Sequence, residues 1–129
     1  MLALLVSLSV ACAVTNIILI NEYPDYQADK EADKQNLLVR IGKENTAFIY
    51  SLLVVCAGAS FFLALSQGLP IASVFFYSPV LIVALILASL MLKAAYSDKL
   101  LLQRMCAMTI LVNLGTSLSC IFGLLINKV

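Results

Sequence analysis

The residues able to do chemistry are gathered in one stretch, Asn21 to Gly42, NEYPDYQADKEADKQNLLVRIG. It holds five of the seven acids in the chain (Glu22, Asp25, Asp29, Glu31, Asp33) and three of the eight bases (Lys30, Lys34, Arg40). Asp25 and Asp29 lie four residues apart. If the helix before them runs on through the stretch, both carboxylates project from one face, with Asn21 and Asp33 at the same spacing. Like charges so placed repel each other and ask for a cation. Hard oxygen ligands of this kind suit Mg2+, which takes one or two carboxylates and completes its shell with water and substrate phosphates. Lys30 and Lys34 follow on an adjacent face, and Arg40 offers a planar fork that matches phosphate oxygens. On spacing alone two readings stay open. One is a lipid-linked diphosphate held through Mg2+; the other is a solvated loop whose acids and bases pair locally.

Some chemistries are excluded. The chain has no histidine, which removes His-based general-base catalysis, Ser-His-Asp triads and histidine metal sites. The four cysteines (Cys12, Cys56, Cys106, Cys120) are widely spaced within apolar segments and read as small buried hydrophobes. A net charge of +1 gives no reason to expect nucleic acid as a partner.

The elements that must position the charged stretch are membrane helices. Of 129 residues, 63% are hydrophobic and 12% charged, with a mean hydropathy of +1.05. A small soluble globule must face water over most of its area and has no use for so much apolar surface. The expected fold is an all-α integral membrane bundle of four transmembrane helices, at about 1–20, 46–65, 71–92 and 105–126. Met1 to Ile20 lacks the positive start and the cleavage site of a secretory signal, and reads as a retained helix. Gln67-Gly68-Leu69-Pro70 is a turn between the second and third spans, and Pro79 is a candidate kink. Lys93 to Arg104 reads as a second polar connection. Gly58, Gly115 and Gly123 are small residues that let helices approach, and Asn16 and Asn113 are expected to bond across helices. Four Lys/Arg fall in the first loop (Lys30, Lys34, Arg40, Lys43), three at the third (Lys93, Lys99, Arg104) and none in the second. The positive-inside rule then puts residues 21–42 in the cytoplasm and both chain ends outside.

The charged stretch resembles the second aspartate-rich motif of the UbiA superfamily of membrane prenyltransferases. It is most similar to the branch that prenylates 1,4-dihydroxy-2-naphthoate in menaquinone synthesis, whose members read close to NExPDxxADxxxGKxTLxVRxG. The matching residues are Asn21, Glu22, Pro24, Asp25, Ala28, Asp29, Lys34, Leu37, Val39, Arg40 and Gly42. The resemblance implies a nine-helix bundle in the inner cell membrane, of which this chain supplies the carboxyl-terminal half. It also implies Mg2+-dependent transfer of a polyprenyl group from polyprenyl diphosphate, a substrate reached from the membrane lipid, to an aromatic acceptor. Asp25 and Asp29 would hold Mg2+ against the diphosphate, and Lys30, Lys34 and Arg40 would take its oxygens, with Asn21 and Asp33 as accessory residues.

Two departures stand out. Asp33 occupies the position of the family's glycine, and Gln35-Asn36 that of its basic-Thr pair. A first motif of the NDxxDxxxD type has no counterpart: the charged stretch aside, no two acids stand in register, and Asp98 has no acidic neighbour in sequence. The chain is therefore expected to need a missing amino-terminal half as partner and to be inactive by itself. Two other functions share the features: a non-catalytic four-span assembly or transport subunit, and a family member using a non-aromatic acceptor such as a lipid-linked alcohol.

Overall fold

The first helix, α1 (Leu2–Asn21), stops where the sequence removes a donor. Pro24 has no N–H to offer the carbonyl of Ile20, and its ring would clash with that carbonyl in a continuing helix. The freed Ile20 carbonyl accepts instead from the Tyr23 N–H at 3.3 Å and from the Cys106 thiol at 3.7 Å. The charged stretch is thus no extension of α1, and the expected single face carrying Asn21, Asp25, Asp29 and Asp33 does not form. It folds as two short helices, α2 (Tyr26–Glu31) and α3 (Leu37–Ile41), before α4 (Lys43–Ser66). A turn leads to α5 (Ala72–Leu92), and a short 3-10 turn at Ala95–Ser97 leads to α6 (Lys99–Ile126). This computed structural model describes residues 1–126. The closing residues 127–129, with the Lys128 of the carboxyl tail, lie outside the described residues.

Four helices are long and apolar enough to cross a membrane, as the sequence predicts. Two begin earlier than expected. Lys43-Glu44-Asn45 is the first turn of α4, entered through Gly42 at φ 84°. Lys99 to Arg104 is helix rather than connection, because Asp98 caps it: its Oδ1 accepts from the Leu101 N–H at 3.0 Å. The α4–α5 turn is a Schellman motif with Gly68 at φ 102°. The Leu69 N–H returns to Ala64 at 3.0 Å and the Gly68 N–H to Leu65 at 3.2 Å. Pro79 leaves α5 unbroken, and the Phe75 carbonyl it orphans accepts from the Ser78 hydroxyl at 3.3 Å.

The four long helices form a ring in which α1 and α5 each pack against both α4 and α6. Successive long helices run antiparallel, so residues 21–42 and the α5–α6 connection share one end, while the α4–α5 turn and the start of α1 share the other. The core at the charged end is built on Ile20, Leu38, Tyr50, Met91 and Met105. The core at the far end is built on Phe61, stacked on Tyr77 at 3.7 Å between ring centroids.

Polarity is inverted relative to a soluble bundle. Leu4, Phe48, Phe75 and Ile82 are exposed, whereas Ser9, Thr46, Ser73, Thr109 and Thr116 are buried. Outward apolar surface on every long helix belongs against lipid, where small polar residues join helices inside. Ser9 donates to the Ala57 carbonyl at 2.9 Å and Ser51 to Ala88 at 3.2 Å. The Tyr50 hydroxyl crosses the centre of the bundle to Thr109 at 2.8 Å. Asn16 makes its expected bond across helices, to the Tyr50 carbonyl at 3.2 Å. Asn113 does not: its buried Oδ1 meets no donor among the described residues. Of the cysteines, Cys12 and Cys120 are buried and Cys106 half-buried, but Cys56 is exposed on the apolar outer face, against expectation.

Candidate functional site

Residues 21–42 are pinned across the end of the bundle by three contacts from the turn after α1. The Glu22 carboxylate accepts from the Leu38 N–H at 2.9 Å, tying the start of α3 to the end of α1. The Tyr23 hydroxyl donates to the Lys43 carbonyl at 2.7 Å. Its ring lies 4.9 Å from that of Tyr96 in the α5–α6 connection. Burial, then the nearby Tyr96 and Glu22, push the Tyr23 hydroxyl pKa well above its ordinary value. The Lys43 ammonium also sits 4.6 Å over the ring of Tyr26.

Within this frame Asp29 is the organising carboxylate. It is the one buried residue of α2, and its N–H donates to the Asp25 carbonyl at 2.8 Å. The helix then ends in a Schellman motif: the Asp33 N–H returns to Lys30 at 3.3 Å and the Lys34 N–H to Asp29 at 2.9 Å. That turn brings Lys34 back over the residue it must neutralise, and Lys34 Nζ reaches Asp29 Oδ1 at 2.5 Å. Hydrogen bonding to Asp29, reinforced by its charge, holds the Lys34 ammonium above its ordinary pKa. The other carboxylate oxygen, Oδ2, accepts from Asn36 Nδ2 at 2.9 Å. Asn36 works in two directions, since its Oδ1 accepts from the Val39 N–H at 2.9 Å and caps α3.

The residues predicted from sequence divide accordingly. Asp29 and Lys34 are brought together, and Asp25 stands one turn away on the same short helix, exposed at its N-cap. Lys30 and Arg40 are exposed, and neither forms an ion pair among the described residues. Asn21 ends α1 on the far side of the Pro24 turn, and Asp33 accepts only from Gln35, at 3.3 Å, so neither joins the Asp29 cluster. Asn36 was missed. Its signal was present as an N-cap residue directly before Leu37-Leu38-Val39, where the sequence reading saw only a departure from the family's basic-Thr pair.

The geometry also accounts for the other departure. Asp33 sits at φ 52°, the left-handed C′ position of the Schellman motif, where glycine is the usual residue and Asp is tolerated. Asp33→Gly is therefore expected to stabilise this turn by about 0.5–1 kcal/mol while keeping the Lys34–Asp29 pair. Slower amide exchange at Lys34, with an unchanged bundle, is the result that checks it.

No group of three or more acidic or cysteine side chains among the described residues is placed to cage a metal. Two carboxylates one turn apart, one exposed and one anchored, fit instead the sparse protein ligation typical of Mg2+, which keeps most of its shell for water and phosphate. Both oxygens of Asp29 are engaged, yet each retains a lone pair for an incoming cation.

A ring of four membrane-length helices, closed at one end by a folded polar segment rich in acids and bases, defines an integral membrane protein with its polar chemistry at one surface. Residues 1–112 match the UbiA prenyltransferase family, a match that takes in the whole charged segment, and the chain belongs to that family. Membership places it among membrane prenyltransferases, which act on prenyl substrates. No curated protein and no solved structure matches.

Proposed function

We propose that this chain supplies the second aspartate-rich motif of an enzyme that transfers a polyprenyl group, with Mg2+, from polyprenyl diphosphate to an aromatic acceptor such as 1,4-dihydroxy-2-naphthoate. The observation that carries this reading is the pairing of an exposed, uncommitted Asp25 with an Asp29 held in place by Lys34 and Asn36, in a chain whose family is that of the prenyltransferases. Asp25 and Asp29 would hold Mg2+, which when bound offsets the charge of the diphosphate leaving group. Lys30 and Arg40, free of ion pairs among the described residues, are available to phosphate oxygens. Lys34 is poised to share its protons between Asp29 and a phosphate as the ligand arrives. The charge distribution favours a cytoplasmic site with both chain ends outside. With one such motif, the chain would work together with an amino-terminal half that carries the other.

One observation favours a second reading, a non-catalytic four-span protein: both oxygens of Asp29 already hold a protein partner, as in a purely structural turn. Asp25→Asn separates the two, because the Asp25 side chain makes no hydrogen bond or ion pair among the described residues. In nanodiscs, the wild-type chain is expected to bind farnesyl diphosphate in a Mg2+-dependent manner. Asp25→Asn is expected to bind about tenfold more weakly with its fold intact, the loss of one charge-assisted contact. Mg2+-independent binding, or equal binding by Asp25→Asn, would favour the structural reading.

A further inference from the structure

Two clefts on the α5–α6 seam, of about 250 Å3 and about 230 Å3, share Val83 and Met108 and so form one continuous groove. It begins at the charged end of the bundle between Leu90 and Leu101 and runs to Pro79 and Val112 near mid-bundle. Along each of the two helices that is about 16 Å. None of its lining residues belongs to residues 21–42, so the groove is separate from the Asp25–Asp29 site.

Its chemistry is graded along the membrane normal. Every lining side chain is apolar except Arg104, which lines the charged end of the groove beside Leu101 with its apolar stem. Arg104 is exposed and has no acidic partner within 4.0 Å among the described residues. The length of α6 sets its depth. At 28 residues the helix is about 42 Å long, roughly 12 Å more than the hydrocarbon core needs. Arg104 lies five residues beyond Lys99, about 8 Å into the helix, and so falls at the headgroup level. A guanidinium there presents a planar fork to a phosphate, while its stem lies along the apolar wall below.

We propose that this groove binds one anionic glycerophospholipid, its phosphate on Arg104 and one acyl chain laid along Leu90, Val83 and Met108. Charge complementarity at the mouth and the apolar slot beneath select that occupant over a zwitterionic lipid, whose own cation would meet Arg104. An apolar groove between helices with a cation at its headgroup end, on the side where basic residues gather, suits such recognition.

The test is lipid retention by the full chain, purified from nanodiscs of equal phosphatidylglycerol and phosphatidylcholine and read by native mass spectrometry. Wild type is expected to retain one phosphatidylglycerol in about fivefold preference, the scale of one interfacial cation. Arg104→Gln should abolish the preference and Arg104→Lys should keep most of it, with far-UV circular dichroism unchanged in both. Met108→Trp, which fills the groove, should lose the retained lipid while leaving Arg104 in place. Equal retention of the two lipids by wild type, or an unchanged preference in Arg104→Gln, overturns the proposal. Displacement of the lipid by inorganic phosphate alone would reduce the site to a headgroup contact and overturn the groove. Displacement by farnesyl diphosphate that depends on Arg104 would assign the groove to substrate instead. Asp25→Asn leaves lipid retention unchanged, so failure here is distinct from failure of the proposed enzymatic role.

Discussion

Asp29→Ala is expected to loosen residues 26–41 while the four-helix ring stays folded. The carboxylate ties α2 to α3 through Asn36 and receives the returning Lys34. Its bond with Asn36 is charge-assisted and partly buried, a class of interaction that contributes about 1.5–3 kcal/mol. The Lys34 contact adds less, because that side chain is 63% exposed and water screens the pair. Loss of about 2 kcal/mol corresponds to roughly thirtyfold more frequent opening of the segment. Hydrogen exchange in micelles should show this at Lys34 and across Leu37–Ile41, with protection in α4 and α6 unchanged. Asp29→Asn should be milder. Its amide oxygen can still accept from Asn36, but its NH2 group faces the Lys34 ammonium donor to donor. Exchange that rises equally through the whole chain would mean that the segment and the ring unfold as one unit. For the proposed function the consequence is direct, since a metal-binding Asp29 must be held still by groups that do not themselves leave with the ligand.

Gly123→Ala is expected to give the largest loss of bundle stability. A methyl group there would lie 1.7 Å from Ser73 Oγ, 2.7 Å from its Cβ and 2.9 Å from its backbone Cα, so a rotamer change alone cannot make room. Overpacking of this kind costs about 1–3 kcal/mol, and backbone contact puts it near the top of that range. The better helix propensity of alanine offsets about 1 kcal/mol. Reversible unfolding in mixed SDS micelles should show an earlier midpoint, restored only in part by the pair Gly123→Ala with Ser73→Gly, because the Cα of residue 73 still lies 2.9 Å away. The other helical glycines calibrate the result. At Gly115 the obstacle is a movable side chain, Val80 Cγ2 at 2.6 Å, so Val80→Ala should rescue Gly115→Ala. At Gly58 the nearest atom is Leu81 Cδ1 at 3.4 Å, ordinary contact, and alanine should be neutral or stabilising. A Gly123→Ala protein as stable as wild type would mean that α5 and α6 do not approach so closely at the far end.

The sequence by itself determined the membrane class, the four spans and the segment that carries the polar chemistry. These follow from composition and from runs of about twenty apolar residues, properties of the chain that no packing can change. It also placed Asp25, Asp29 and Lys34 in one motif, through the family resemblance. Tertiary structure decided how those residues meet. Helical spacing predicted one acidic face from Asn21 to Asp33, but Pro24 ends α1 and the left-handed turn at Asp33 folds Lys34 back onto Asp29. Asn36 became the second anchor of Asp29 only once α3 was capped and turned toward α2, a relation between two short helices that no periodicity encodes. The start of α6 followed the same logic: Lys99 to Arg104 is polar enough to read as a loop, and the Asp98 cap makes it helix. Local propensity is written along the chain. Which side chains satisfy one another is settled where the chain crosses its own end.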